Sequence, residues 1–121
     1  MKISYIELLG QKHPMCFSLT ASEELDEHFG SLENMEAELH CGKLARIARA
    51  VDTILTVLMK HGRIYAESIG EDVPAPIKCR PGDLIDVTDE SALKAVFSVI
   101  QDDTKREVEV ETKNTEATQG R

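Results

Sequence analysis

The fold is decided by residues 3–30, which read ISYIELLGQKHPMCFSLTASEELDEHFG. The runs 3–9 and 14–19 are strand-like in composition, and the polar segment 10–13 lies between them. Two such runs separated by a short polar turn predict a β-hairpin over 3–19. From Thr20 onward the apolar residues recur at helical spacing. The chain is therefore predicted to be α+β and mainly α, with the N-terminal hairpin packed on about four helices.

The four predicted helices cover approximately residues 21–29, 32–39, 43–69 and 90–105. Thr20 and Glu23 form a capping-box pattern that begins the first helix, and Gly30 ends it. The third helix is the longest, and its apolar face consists of Leu44, Ile47, Ala48, Val51, Ile54, Leu55 and Leu58. Gly62 lies inside this helix, where glycine costs about 1 kcal/mol relative to alanine, and it marks the place where a kink or break would fall.

In two further segments the apolar residues do not recur at helix or strand spacing. Residues 70–82 contain three prolines and predict a loop, because proline lacks an amide donor and restricts the residue before it. Residues 106–121 are polar and predict a flexible tail, since they bury too little apolar surface to offset the chain entropy. The globular domain is accordingly predicted over 1–105.

Length and charge exclude several classes of protein. A chain of 121 residues forms one domain. Its net charge of −8 argues against nucleic acid as the main partner, because phosphate binding needs a concentrated basic surface. No apolar run approaches the roughly 20 residues that a membrane span needs. Three cysteines without paired spacing favour a reduced, cytoplasmic protein.

The residues supply no catalytic signature, and we predict that the chain is not an enzyme and holds no cofactor or metal. None of the four histidines stands at metal-ligand spacing from another, and His40 and Cys41 are adjacent, so their side chains diverge. A zinc site or a Cys–His pair is the alternative, but it needs convergent ligands or a placed base. The favoured interpretation is that the cysteines are small buried hydrophobes and the histidines lie on the surface.

Two charged faces are predicted on the helices. The short helices carry an acidic face, consisting of Glu23, Glu24, Asp26, Glu27, Glu33, Glu36 and Glu38. The long helix carries a basic stripe, consisting of Arg46, Arg49, Thr53, Thr56, Lys60 and Arg63. Both are interpreted first as solvated faces. The alternative is that the acidic face steers a basic partner, and that the basic stripe meets the acidic helices of a second copy, which would make a homo-oligomer.

The order of these parts resembles that of the tail assembly chaperones of long-tailed bacteriophages and prophages. The residues that carry the resemblance are the hairpin, TASEELDEHFG at 20–30, SLENM at 31–35, and the end of the long helix, LTVLMKHG at 55–62. The resemblance covers roughly residues 3–62 and extends more loosely to Ile100. The proline-containing segment 70–82 is longer than this pattern requires.

The resemblance implies a non-enzymatic role in the cytoplasm of the bacterial host. Such proteins bind the tape-measure protein, a long helical chain with exposed apolar stripes, and keep it soluble until the tail tube assembles. The resemblance also implies contact with the tail-tube protein through a frameshift-extended form. The residues predicted to contact a partner are Leu25, Phe29, Leu32, Met35, Leu39, Arg46, Arg49, Lys60 and Arg63.

Alternatives stay open at this stage. The five apolar residues of that set can instead complete the core. The chain can also be another prophage-encoded structural or adaptor protein, or a small regulatory binding protein. Gene neighbourhood separates these classes, because a tape-measure gene is very long and lies downstream of the tube gene.

Overall fold

The computed structural model describes residues 2–100 of the chain. An antiparallel hairpin is formed by β1 (Ser4–Leu8) and β2 (Gln11–Met15). The helices α1 (Leu19–Phe29), α2 (Leu32–Leu39) and α3 (Leu44–Ser68) follow, then a 3-10 turn (Pro81–Leu84) and α4, helical over 90–100. The predicted α+β, mainly helical class is confirmed. The predicted end of α4 at 105 and the predicted tail at 106–121 lie outside the described residues.

The hairpin turn is tighter than predicted. Leu8 pairs with Gln11, so the turn consists of Leu9 and Gly10 alone, with φ of 53° and 75°. Positive φ at both central residues is the conformation that matches the twist of paired strands. The predicted four-residue turn at 10–13 and second strand at 14–19 are wrong, because leucine rarely adopts this conformation and gives no signal for it.

Helix starts depend on side-chain caps. Ser18, predicted to be in a strand, caps α1 by accepting the Ala21 N–H on its Oγ at 3.1 Å. The capping box predicted at Thr20 is therefore wrong, and Thr20 lies in the first turn of α1. The predicted stop of α1 at Gly30 is confirmed. Helix α2 is capped by Ser31, whose Oγ accepts the Asn34 N–H at 3.0 Å.

Helix α3 organises the domain, and it contacts β2, α1, α2 and the 3-10 turn. The core is built from fully buried side chains, which include Met15, Leu25, Met35, Ile54, Leu55, Leu58 and Val96. Helix α4 joins this core through Val96, and the ring of Phe97 stacks on that of His40 with centroids 5.3 Å apart. None of the helices within residues 2–100 is long and apolar enough to cross a membrane.

Helix α3 continues through Gly62 without a break. A Cβ on Gly62 would lie 2.5 Å from the Cα of Met15 and closer still to the carbonyl of Pro14. The backbone of the hairpin passes along the helix here, and the Cys16 N–H donates to the Leu58 carbonyl at 3.2 Å. Gly62 is thus explained by close backbone approach rather than by a kink.

Candidate functional site

A long groove runs along one face of α3. It consists of two adjoining clefts of about 570 and 540 Å³. The clefts meet at His28 and Thr53, which line both. On α3 the groove extends from Arg46 to Arg63, a distance of about 26 Å at the rise of an α-helix. We call this feature the α3 groove.

The predicted basic stripe forms the floor of this groove. All six of its residues line one of the two clefts. Four of the six, Arg46, Arg49, Thr56 and Lys60, are exposed to solvent within these open clefts, and Thr53 and Arg63 are half-buried. Helices α1 and α2 form one wall of the groove. The segment 76–81, together with His13 and Pro14 of β2, forms the other wall beside the C-terminal half of α3. The sequence indicated the stripe but not these walls.

The groove is positively charged on an acidic chain. Its lining includes five cationic side chains, namely Arg46, Arg49, Lys60, Arg63 and Arg80, and only two carboxylates, Glu24 and Glu38. Both carboxylates are already paired. Glu38 accepts from the Nε of Arg46 at 3.0 Å, and this bond lowers the pKa of the Glu38 carboxyl. Glu24 accepts from the Nζ of Lys60 at 2.8 Å.

Arg49 differs from the other groove cations. Arg46 and Lys60 pair with glutamates, Arg63 donates to the Pro74 carbonyl, and Arg80 forms an ion pair with Asp52. Across residues 2–100, by contrast, no hydrogen-bond acceptor or ion-pair partner contacts the Arg49 guanidinium, although its charge helps to lower the pKa of the nearby Glu38 carboxyl. Arg49 is therefore the groove cation without a direct partner in the described part of the chain.

The loop wall of the groove is tied to α3 at two points. Near its start, the Arg63 Nη1 donates to the Pro74 carbonyl at 2.7 Å. Near its end, the buried Asp52 carboxylate accepts the Gly82 N–H at 2.8 Å and pairs with Arg80. The proline-containing segment is therefore a positioned wall, although the sequence predicted only a loop. The role of Asp52 was not predicted from the sequence. The available signal was its position beside Val51 and Leu55 on the apolar face of α3, where a carboxylate needs a partner.

A chain of hydrogen bonds ties α1 to α3 beside the groove. The buried His61 lies between Thr20 and Glu24, with its Nδ1 3.2 Å from the Thr20 Oγ1 and its Nε2 2.8 Å from the Glu24 Oε1. The bonds from Lys60 and His61 lower the pKa of Glu24. Thr20 and His61 lie outside the lining of the groove. The three side chains join α1 to α3 beside the groove.

His13 gives the groove a buried, uncharged wall. Its side chain is on β2, opposite Ile6, and is only 4% exposed. Burial, and secondarily the charge of Arg63, lower the pKa of His13 below its usual value. The neutral imidazole is thus the favoured form where His13 meets the apolar part of the groove.

The apolar residues predicted to contact a partner do not form an exposed surface. Leu25, Met35 and Leu39 are buried in the core, and Phe29 and Leu32 are half-buried and pack against it. This arrangement corresponds to the alternative in which the five complete the core. Phe29 also lines the groove beside Arg46 and Arg49. The four cations of the predicted set, Arg46, Arg49, Lys60 and Arg63, are brought together in the groove.

The cysteines do not cluster. Cys16 is buried, Cys41 is half-buried and Cys79 is exposed in the loop wall. Within residues 2–100, no three His, Cys, Asp or Glu side chains come together in a way that could hold a metal ion. The groove itself offers cations and apolar surface, which suits an acidic and partly apolar ligand rather than a metal.

Comparisons with known proteins add no relative to this picture. No protein-family model matches the chain, and no match is found among curated proteins or solved structures.

Proposed function

We propose that this chain is a non-enzymatic tail assembly chaperone that binds the tape-measure protein in the cytoplasm of a bacterial host. The observation that carries the proposal is the α3 groove, with its length of about 26 Å, partly apolar lining and excess of cations. A groove of this length accommodates about five turns of a helical partner laid along α3.

The physical need for such a protein is clear. A long helical chain that awaits assembly exposes apolar stripes, and such surfaces aggregate. In helix-in-groove binding, apolar side chains that line a groove cover the apolar stripe of the bound helix, and the polar face of that helix stays in water. The half-buried Met59 and Ile77 side chains line the groove and provide apolar surface for this contact.

The charge distribution supports a protein partner over nucleic acid. Four of the five groove cations already have partners within the chain, and the chain as a whole carries a net charge of −8. A nucleic-acid site needs many free cations that replace counterions along the phosphates. Contact with the tail-tube protein through a frameshift-extended form is a further part of this proposal.

The experiment is co-expression with the tape-measure protein encoded in the same gene cluster. The soluble fraction of that protein is measured with and without this chain. We expect it to rise when the chain is present and the two proteins to co-purify. An unchanged soluble fraction, or a gene neighbourhood without a very long helical reading frame, contradicts the proposal.

A further inference from the structure

The two ends of the α3 groove differ in chemistry. Towards the C-terminal half of α3 the lining combines three cations, Lys60, Arg63 and Arg80, with apolar side chains, namely Pro14, Met59, Pro76, Ile77 and Pro81. Towards the N-terminal half Asn34 and Glu38 line the groove with Arg46 and Arg49. The two ends therefore differ, since most of the apolar lining lies beside the C-terminal half of α3.

The charge requirement towards the N-terminal half of α3 is specific. Arg46 forms two hydrogen bonds to Glu38, whereas Arg49 acts on that carboxylate only through its charge and has no hydrogen bond or ion pair within the described part of the chain. A ligand that covers this end of the groove takes Arg49 away from water. Removing a guanidinium from water without a partner is costly, and a carboxylate offsets that cost with paired hydrogen bonds.

The spacing between the two ends translates into a pattern on the ligand. Arg49 and the half-buried Met59 both line the groove, and they are ten positions apart on α3, or about 15 Å. On a helix laid alongside, this distance corresponds to about ten or eleven residues. Residues at that spacing lie on the same face of a helix.

We propose that the α3 groove takes one amphipathic helix of another protein, with an apolar pair over Met59 and Ile77 and a carboxylate about three turns away, on the same face, bound by Arg49. This inference rests on the proposed function and specifies the class of segment that the partner presents. Charge complementarity selects this occupant, since the groove is cationic while the rest of the chain is acidic.

The test uses the full chain and three labelled helical peptides of about 20 residues, a length at which a helix is marginally stable in water. The first peptide has two leucines at helical spacing and a glutamate about three turns away on the same face. The second has that glutamate moved to the opposite face, and the third has lysine in its place. Binding is measured by fluorescence anisotropy.

We expect the first peptide to bind wild-type protein about tenfold or more tightly than the other two, the size of effect that a hydrogen-bonded charge produces. Arg49→Glu should abolish that preference and bind the lysine peptide best. Lys94→Glu, an equal charge change at an exposed position on α4, should leave binding of all three peptides unchanged. The circular dichroism melting curve of each variant establishes that it is folded.

Equal binding of the three peptides, or no reversal of preference in Arg49→Glu, overturns the inference. Two other occupants are separated by the same variants. If wild-type protein self-associates in sedimentation experiments and Arg49→Glu is monomeric, a second copy fills the groove and the inference is wrong. If a labelled single-stranded RNA binds wild type and not Arg49→Glu, the ligand is nucleic acid and the inference is equally wrong.

The inference and the proposed function fail separately. If the chain solubilises the tape-measure protein but does not prefer the acidic peptide, it contacts the tape-measure protein elsewhere, and only the inference is wrong. A chain that selects the acidic peptide but leaves the tape-measure protein insoluble has the groove specificity described here and a different partner.

Discussion

Gly62 of α3 lies directly against Pro14 of β2, with no room for a side chain between the two backbones. The nearest atoms to a Cβ at position 62 belong to the backbone of Pro14 and Met15, which cannot move aside as a flexible side chain can. This contact lets the hairpin pack on α3 and places His13 and Pro14 in the wall of the groove.

Replacing Gly62 by alanine should therefore destabilise the protein. In an unconstrained helix this change adds stability, by about 1 kcal/mol. Here we expect a loss of about 1–3 kcal/mol, as is typical of overpacked sites. Urea unfolding provides the measurement. The control is Ala45→Gly, at an exposed position of α3, which should lose about 0.5–1 kcal/mol from helix propensity alone. A stabilised Gly62→Ala protein would show that the hairpin does not pack as described.

The Asp52 carboxylate should hold the loop wall mainly through the Gly82 N–H. Asp52→Ala leaves this N–H without its acceptor, and we expect a cost of about 1–3 kcal/mol. Arg80→Ala should cost less than about 1 kcal/mol, because the Arg80 side chain is 70% exposed and its ion pair is screened by water. Asp52→Asn keeps an acceptor oxygen and should fall between the two.

The order of these three variants in urea unfolding is the decisive observation. If Arg80→Ala costs as much as Asp52→Ala, the ion pair rather than the backbone hydrogen bond holds the loop.

Substitutions in the core and in the groove should differ clearly in their effect on the free energy of unfolding. Met35 is 1% exposed, and Met35→Ala should cost about 2–5 kcal/mol, as other buried side chains do. Arg49→Ala, in the groove and without a partner within residues 2–100, should change the free energy of unfolding by no more than about 0.5 kcal/mol. Similar losses in the two variants would mean that Arg49 is structural and that the groove is not a free surface.

The stability of the protein should decline in mildly acidic solution because of His13. Its folded pKa lies below the ordinary value of 6.5, so the unfolded chain binds more protons between the two values. Stability is therefore full above about pH 6.5 and falls as the pH drops towards the lowered folded pKa.

Urea midpoints measured from about pH 8 down to pH 5 test this, since they span the usual titration range of histidine. His13→Gln should flatten the curve in this range, whatever its effect on absolute stability. Glu24 affects stability only at lower pH than His13. Its carboxyl pKa is lowered in the folded protein, so the stability that it contributes is lost as the pH falls through that pKa. An unchanged slope in His13→Gln would contradict the buried, neutral imidazole.

The sequence predicted those parts of the fold that depend on local periodicity and simple caps. The bounds of α2 and the extent of α3 follow from apolar spacing, Gly30 and Ser31. The turn and the second strand of the hairpin were predicted at the wrong residues, because the turn depends on a positive φ at Leu9 that leucine does not signal. Gly62 looked like a weakness of the helix, since a close approach between two distant segments is not visible in either one alone.

The candidate site was predicted in part. The spacing of Arg46, Arg49, Lys60 and Arg63 placed them on one stripe, and the structure gathers them in one groove. Its walls depend on tertiary contacts, such as Asp52 with Gly82 and Arg63 with Pro74, which join residues far apart in sequence. Five apolar residues of α1 and α2 could not be assigned to core or surface from spacing alone, because both arrangements give the same periodicity.

The most direct test of the α3 groove as the partner site compares groove variants in the co-expression experiment. The soluble fraction of the tape-measure protein is measured with wild type, with Arg49→Glu, and with Lys94→Glu as the control of equal charge change. We predict that wild type and Lys94→Glu keep the tape-measure protein soluble and that Arg49→Glu, although folded, does not. Equal soluble fractions with all three proteins would contradict the claim that the α3 groove holds the partner.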